Sequence, residues 1–138
     1  MMKIGVLGAG TMGNGIAQVM ASAGHEVTLC DIDNEILRTA ASTIDANLWR
    51  LYKKENKEFS EIGRVLSRIT FTTDKTKLAG LDIVIEAILE NRDIKKRVFA
   101  ELDAICDPKT ILASNTSGLS ITEIGSATGR PDRVIGMH

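Results

Sequence analysis

Three glycines and one aspartate carry the first chemistry in this sequence. Gly8-Ala9-Gly10-Thr11-Met12-Gly13 has the G-x-G-x-x-G spacing, and Asp31 lies about twenty residues further on. Each glycine then has a task in holding a dinucleotide. Gly8 turns the chain sharply out of a strand. Gly10 lets a pyrophosphate approach the backbone, and Gly13 lets the following helix pack closely on the sheet. Thr11 and Met12 complete the same phosphate-holding segment, where the helix N-terminus offers N–H groups and partial positive charge. A strand-to-helix turn that binds nothing can carry the same glycines. Context favours the nucleotide: a strand before, a helix after, and an acid closing the second strand.

Asp31 addresses which nucleotide is held. Its carboxylate can accept hydrogen bonds from the adenosine ribose hydroxyls and would repel a 2′-phosphate. Ile32 follows it rather than an arginine, and Asp33 adds a second negative charge. At an effective dielectric of about 20, like charges about 4 Å apart repel by roughly 4 kcal/mol. The reading is NAD rather than NADP; the alternative leaves Asp31 as a plain cap for the next helix.

The elements that must position these residues follow from apolar periodicity. Residues 3–7 read as a short buried strand, residues 14–23 as a helix with Gly24 at its C′ position, and residues 26–30 as a second strand. Asp33 can cap a helix that carries Ile36, Leu37, Ala40, Ala41, Ile44, Leu48 and Leu51 and runs to about residue 54. Ser60 is expected to cap a shorter helix with Ile62, Val65 and Leu66. This pair stands where a simple βαβ unit has one crossover helix, and it reads as an insertion or arm. Strand patterns return at residues 68–72, 81–86, 110–113 and 133–137. Residues 91–106 read as an amphipathic helix with Ile94, Val98, Leu102 and Ile105 on one face. Ser120-Ile121-Thr122-Glu123 has the capping-box pattern of a further short helix. The alternation predicts an α/β fold of Rossmann type, a doubly wound, mostly parallel sheet with a helical-hairpin insertion after the second strand.

Size and composition agree with one such domain over residues 1–138. The chain has 138 residues, 43% of them hydrophobic and 25% charged, which suffices for a core that needs neither disulfides nor metals. A net charge of −1 gives no reason to expect nucleic acid or an anionic membrane as partner. No apolar run approaches the length of a membrane span, and the first strand begins with no secretory pattern ahead of it, so the expectation is a cytoplasmic protein. Cys30 and Cys106 are far apart among core-type residues, and read as buried thiols rather than as a disulfide.

Four stretches are more specific than the fold. Gly8-Ala9-Gly10-Thr11-Met12-Gly13-Asn14-Gly15-Ile16-Ala17-Gln18 resembles the opening of the L-3-hydroxyacyl-CoA dehydrogenase family. So, in matching order and spacing, do Ile83-Val84-Ile85-Glu86-Ala87-Ile88-Leu89-Glu90-Asn91, Ala113-Ser114-Asn115-Thr116-Ser117-Gly118-Leu119 and Arg133-Val134-Ile135-Gly136-Met137-His138. The resemblance covers essentially the whole chain, and is strongest to short bacterial-type members acting on 3-hydroxybutyryl-CoA and acetoacetyl-CoA.

That resemblance implies an NAD-dependent oxidoreductase that interconverts a 3-hydroxyacyl-CoA and a 3-ketoacyl-CoA. It makes His138 the catalytic histidine of a Gly-x-His segment. An imidazole of pKa about 6.5 suits removal of a hydroxyl proton at neutral pH. Ser117 matches a serine that hydrogen-bonds the substrate 3-oxygen, with Asn115 beside it at a strand end; otherwise Ser117 is an ordinary turn hydroxyl. Glu90 and Lys95 match positions that contact the nicotinamide half of NAD, or else are an exposed loop carboxylate and a solvated helix lysine. Asn47, in place of a family serine, and Lys54 fall where the family contacts CoA. Arg50, Lys53 and Lys57 flank them, and the alternative is a solvated charged face. Trp49 and Tyr52 either stack on adenine or pack the arm.

In the family, the histidine's glutamate partner and an all-helical C-terminal domain follow. That domain forms most of a dimer interface and part of the substrate site. The expectation is therefore that this chain is the cofactor half of a homodimeric or larger acyl-CoA enzyme, nearly inactive alone. A dehydrogenase of a non-CoA hydroxy acid such as a sugar acid, or a non-enzymatic NAD-binding module, are the other readings of the same motifs.

Overall fold

The computed structural model describes residues 1–137, and His138 lies outside the described residues. Six strands form one sheet: β1 (Lys3–Leu7), β2 (Glu26–Cys30), β3 (Ile69–Thr72), β4 (Ile83–Glu86), β5 (Ile111–Ser114) and β6 (Val134–Gly136). Their order is β3-β2-β1-β4-β5-β6, and every pairing is parallel. This is the Rossmann arrangement, with the chain switching sides between the neighbours β1 and β4.

A parallel sheet flanked by helices on both sides buries both faces, which is why its strands read as near-continuous apolar runs. Alternation along the strands sorts them into two cores. Ile4, Val6, Val27, Leu29, Ile83 and Ile85 pack on one side, with α1 (Thr11–Ser22), α2 (Asn34–Lys54) and α3 (Ile62–Ser67). Leu7, Cys30, Val84 and Leu112 pack on the other, with α4 (Arg92–Ile105) and α5 (Ile121–Gly125).

The helical hairpin is not a free arm. Leu37, Ala40, Ile44, Leu48 and Tyr52 of α2 form a buried stripe continuous with the first core, joined by Ile62 and Val65 of α3. Its start is set by Asp33, whose Oδ1 accepts the Glu35 N–H at 2.8 Å. Ser60 does not cap α3; it sits inside a 3-10 turn, Phe59–Glu61, that leads into the helix without a side-chain cap. Gly24 has the expected left-handed conformation, φ 98°.

Two further expectations shift. Helix α1 begins at Thr11, earlier than its apolar pattern, because the glycine turn feeds straight into the first helical turn. The buried face of α4 is Lys95, Phe99 and Leu102, rotated by one residue from the expected stripe, and Ile94, Val98 and Ile105 are only partly buried. In α5, Ser120 Oγ accepts the Glu123 N–H at 3.2 Å, while the Glu123 carboxylate turns to Arg92 and Lys96 of α4.

One buried arginine ties the second core to the sheet. Arg130 places all five guanidinium N–H donors: Nε on Asp103 Oδ1 (2.6 Å), one amino group on the Asp107 and Thr110 carbonyls, the other on those of Asp103 and Cys106. It therefore satisfies carbonyls at the C-terminal end of α4, where the helix dipole also favours a cation. Cys30 and Cys106 are both free and buried, as expected.

Candidate functional site

The glycine turn joins the carboxyl end of β1 to α1. Gly8 has φ 106°, and its N–H donates to the Cys30 carbonyl at 2.8 Å. A Cβ on Gly8 would lie 2.6 Å from the Ala87 carbonyl oxygen, so only glycine fits. A Cβ on Gly13 would lie 1.6 Å from the Gly8 carbonyl oxygen, so α1 is seated directly on the turn. Gly10 is the N-cap of α1 and supplies no side-chain hydrogen bond; a Cβ there would meet nothing within 4 Å. The first turn of α1 also lacks an acidic residue, unlike those of α2 and α4. An uncapped, acid-free helix start facing open space fits a pyrophosphate.

Asp31 closes β2 opposite this turn. Its Oδ2 accepts the Ala9 N–H at 2.9 Å and its Oδ1 the Asp33 N–H at 3.0 Å. Because Asp33 performs the capping of α2, Asp31 is not that helix's N-cap. A carboxylate has about four acceptor sites, so Asp31 keeps capacity for ribose hydroxyls. It opens on a cleft of about 410 Å³ shared with Gly8, Gly10, Ile32, Ile36 and Ile88. The lining is apolar apart from Asp31 and Lys75, and the Lys75 ammonium is held by Glu101 at 2.9 Å. A mostly apolar cleft with a few polar anchors, placed where the strand order reverses, suits the adenosine end of a dinucleotide.

The carboxyl ends of β4 and β5 carry a polar chain. Glu86, wholly buried, accepts from Lys95 Nζ at 2.5 Å and Ile88 N–H at 2.7 Å on one oxygen, and from Ser114 Oγ at 2.6 Å on the other. Lys95 is 1% exposed and reaches Glu90 Oε1 at 3.7 Å. It is thus neither a solvated helix lysine nor freely presented to a ligand. Glu90 itself is about half exposed. Thr116 Oγ1 donates to it at 2.6 Å, and this bond, helped by the Lys95 charge and opposed by burial, holds its carboxyl below the usual range. The Thr116 hydroxyl also accepts the Leu119 N–H, shaping the turn that carries Ser117.

Ser117 is exposed, and Asn115 is half-buried with its N–H on the Glu86 carbonyl. Asn115 and Met137 line one groove with Thr11, Met12 and Ile16, so the end of β5 faces the start of α1. Asn47 faces the glycine turn across a second groove, shared with Gly10, Thr11 and Asn14. Asn47 and Lys54 also meet in a third, with Arg50 and Gln18. Trp49 and Tyr52 pack the hairpin: Trp49 lies against Phe59 with ring centroids 4.9 Å apart, and Tyr52 is buried beneath Lys57. His138, the expected catalytic histidine, lies outside the described residues.

Sequence reasoning missed Glu86 and Thr116. The signal for Glu86 was an acid closing an apolar strand, much as Asp31 directly follows β2. Among the described residues, no three or more His, Cys, Asp or Glu converge as a metal site, and no helix is long and apolar enough to cross a membrane.

Comparison with known proteins agrees with this geometry. The profile described as the NAD binding domain of 3-hydroxyacyl-CoA dehydrogenase matches residues 3–138. The chain is 46% identical over 137 residues to the 3-hydroxybutyryl-CoA dehydrogenase of Clostridioides difficile, covering 99% of this chain and 49% of that protein. It is 47% identical, with the same coverage, to a probable 3-hydroxybutyryl-CoA dehydrogenase of Deinococcus radiodurans. The crystal structure of (S)-3-hydroxybutyryl-CoA dehydrogenase from Ralstonia eutropha superposes with a TM-score of 0.96 at 42% identity, over 99% of this chain and 48% of that one. The chain spans about half the length of the curated relatives it matches.

Proposed function

The chain belongs to the 3-hydroxyacyl-CoA dehydrogenase family, in its NAD-binding domain, and from this we propose that the protein oxidises a short-chain 3-hydroxyacyl-CoA, such as 3-hydroxybutyryl-CoA, or reduces the corresponding 3-ketoacyl-CoA. The observation that carries the reading is convergence at the carboxyl ends of the strands. The glycine turn after β1, Asp31 at the margin of β2, and Asn115 and Ser117 after β5 all lie along one rim of the sheet.

When bound, the cofactor would accept the hydride as NAD in oxidation and supply it as NADH in reduction. The remaining work falls to the chain's own residues. Gly10 and the first turn of α1 receive the pyrophosphate, and Asp31 receives the adenosine ribose. Ser117 donates to the reacting 3-oxygen of the substrate, and the His138 imidazole takes its hydroxyl proton, or returns it in reduction. Glu90 would meet the nicotinamide end. Asn47 and Lys54 hold the CoA, with lysine as a point charge suited to phosphate. Pairing of two copies of the whole protein belongs to the same reading.

The test is an assay of the whole protein, cofactor domain and C-terminal domain together, with acetoacetyl-CoA and longer homologues, with NADH and NADPH compared, together with its mass in solution. Turnover that requires CoA and prefers NADH is expected. Activity on a free hydroxy acid, equal with and without CoA, would overturn the reading.

A further inference from the structure

Glu86 has no part in the assignments above, and Lys95, expected to contact the cofactor, is instead turned onto it; both side chains are within 1% of full burial. Removing two charges from water costs several kcal/mol per ion, and a well-packed apolar pair of similar size is often as stable or more so. Its place in the fold suggests what it does. Glu86 ends β4, and the residues that follow, Ala87, Ile88 and Leu89, form one wall of the cleft that Asp31 and Gly8 close from the other side. That wall is tied down at Ile88 from both directions. Glu86 Oε2 accepts the Ile88 N–H at 2.7 Å, and Lys95 Nζ donates to the Ile88 carbonyl at 3.4 Å. The pair then reaches Ser114 on β5 through Glu86 and Glu90 through Lys95.

We propose that Glu86 is a positioning residue for the cofactor cleft: paired with Lys95, it fixes the 87–91 segment as the wall against which NAD lies. This inference rests on the cofactor reading above. The glutamate matters here for its charge as well as its hydrogen bonds. A glutamine at 86 can still accept from Ile88 and Lys95 with its oxygen, and donate to the Ser114 hydroxyl with its amide. What it removes is the counter-charge of Lys95. The ammonium, left buried without it, has Glu90 as its nearest remaining carboxylate at 3.7 Å. Moving toward Glu90 pulls Lys95 from the Ile88 carbonyl and displaces the wall.

The experiment combines NAD titration by calorimetry with amide hydrogen exchange, on the wild-type chain, Glu86→Gln and the double variant Glu86→Gln/Lys95→Met. Glu86→Gln should raise the NAD dissociation constant about tenfold and speed exchange in residues 87–91 while β1 and β2 stay protected. The double variant, free of buried charge, should recover the melting temperature without recovering NAD affinity; it also carries the measurement if Glu86→Gln does not fold. A purely structural role would lower the melting temperature yet leave the dissociation constant of the folded variants within about twofold of wild type. That result overturns the proposal. A wild-type chain that binds no NAD would sink the cofactor reading instead. Exchange at 87–91 then still decides whether Glu86 holds the segment: faster exchange in the variant supports it, and unchanged exchange overturns it.

Discussion

The Asp31 carboxylate accepts the Ala9 N–H at 2.9 Å, so the acid that ends β2 and the glycine turn that ends β1 are one bonded unit. The proposed ribose acceptor and the proposed phosphate-receiving turn are therefore coupled by a direct hydrogen bond. A ligand that spans both sites meets a preorganised surface.

Replacing Asp31 tests that unit and the cofactor choice together. Asp31→Ser removes the charge that repels a 2′-phosphate and leaves a hydroxyl in place of the ribose acceptor. NAD affinity should fall by about tenfold or more while NADP affinity rises, with repulsion of roughly 4 kcal/mol relieved at most. Fluorescence titration with NADH and NADPH reads both. Wild-type dissociation constants that are equal for the two cofactors would refute the assigned role.

Two glycine substitutions should separate binding from folding. Gly13→Ala drives a Cβ to within 1.6 Å of the Gly8 carbonyl oxygen, so α1 must shift. Overpacking of this kind costs about 1–3 kcal/mol or more, and urea denaturation should show it. Gly10→Ala meets nothing within 4 Å in the free chain. Its stability should stay within about 0.5 kcal/mol of wild type, while NAD binding should weaken, since the methyl group would enter the space proposed for the pyrophosphate.

Arg130 should dominate the stability of the second core. Arg130→Met abandons five hydrogen bonds and takes the guanidinium donor from the carbonyls at residues 103, 106 and 110, and from that of Asp107, which keeps the Thr110 N–H. A loss of about 3 kcal/mol or more is expected. An unfolding midpoint unchanged from wild type would contradict the account.

Its partner gives the acid limb of stability. The Gly129 N–H first, then Arg130, hold the Asp103 carboxyl below its ordinary value against the opposing effect of burial. Asp103 thus loses its proton more readily folded than unfolded. Its contribution is complete above the ordinary value of 3.8, and is lost as pH falls below that toward the lowered folded value. Asp103→Asn should lower stability at pH 7 and flatten the acid limb in thermal melts between about pH 4 and pH 2.

Burial pushes the Cys30 thiol up to about 11, with Lys75 partly offsetting this. It is therefore protonated and inert at neutral pH. A thiol reagent at pH 8 should react with Cys30 only after denaturation; rapid labelling of the folded chain would count against the burial described.

The sheet, the turn and Asp31 were legible in the sequence for a physical reason. Strands buried on both faces are apolar throughout, and a glycine forced by φ 106° or by a 1.6 Å approach leaves a mark at a fixed position. What escaped was chemistry completed by distant partners. Lys95 sits in the first turn of α4 among charged residues, and its burial follows from Glu86, a strand end nine positions earlier. Thr116 resembles its neighbours Ser114 and Ser117 until Glu90 is seen against it. Ser60 looked like a cap because its residue type fits, but the chain there was already winding into a 3-10 turn.

The closeness of Gly8 to Ala87 also bears on how the protein acquires its binding site. β1 and β4 are adjacent in space, with Ile4 opposite Ile83, yet most of the chain made by then lies between them. Closing a loop of that length is among the slower events of folding. The β1–α1–β2 unit supplies one side of the cleft, and the wall at residues 87–89 is added only when β4 pairs with β1. Nucleotide available at that moment would stabilise the completed state by mass action, acting as a late clamp on a seam the chain must otherwise hold by itself.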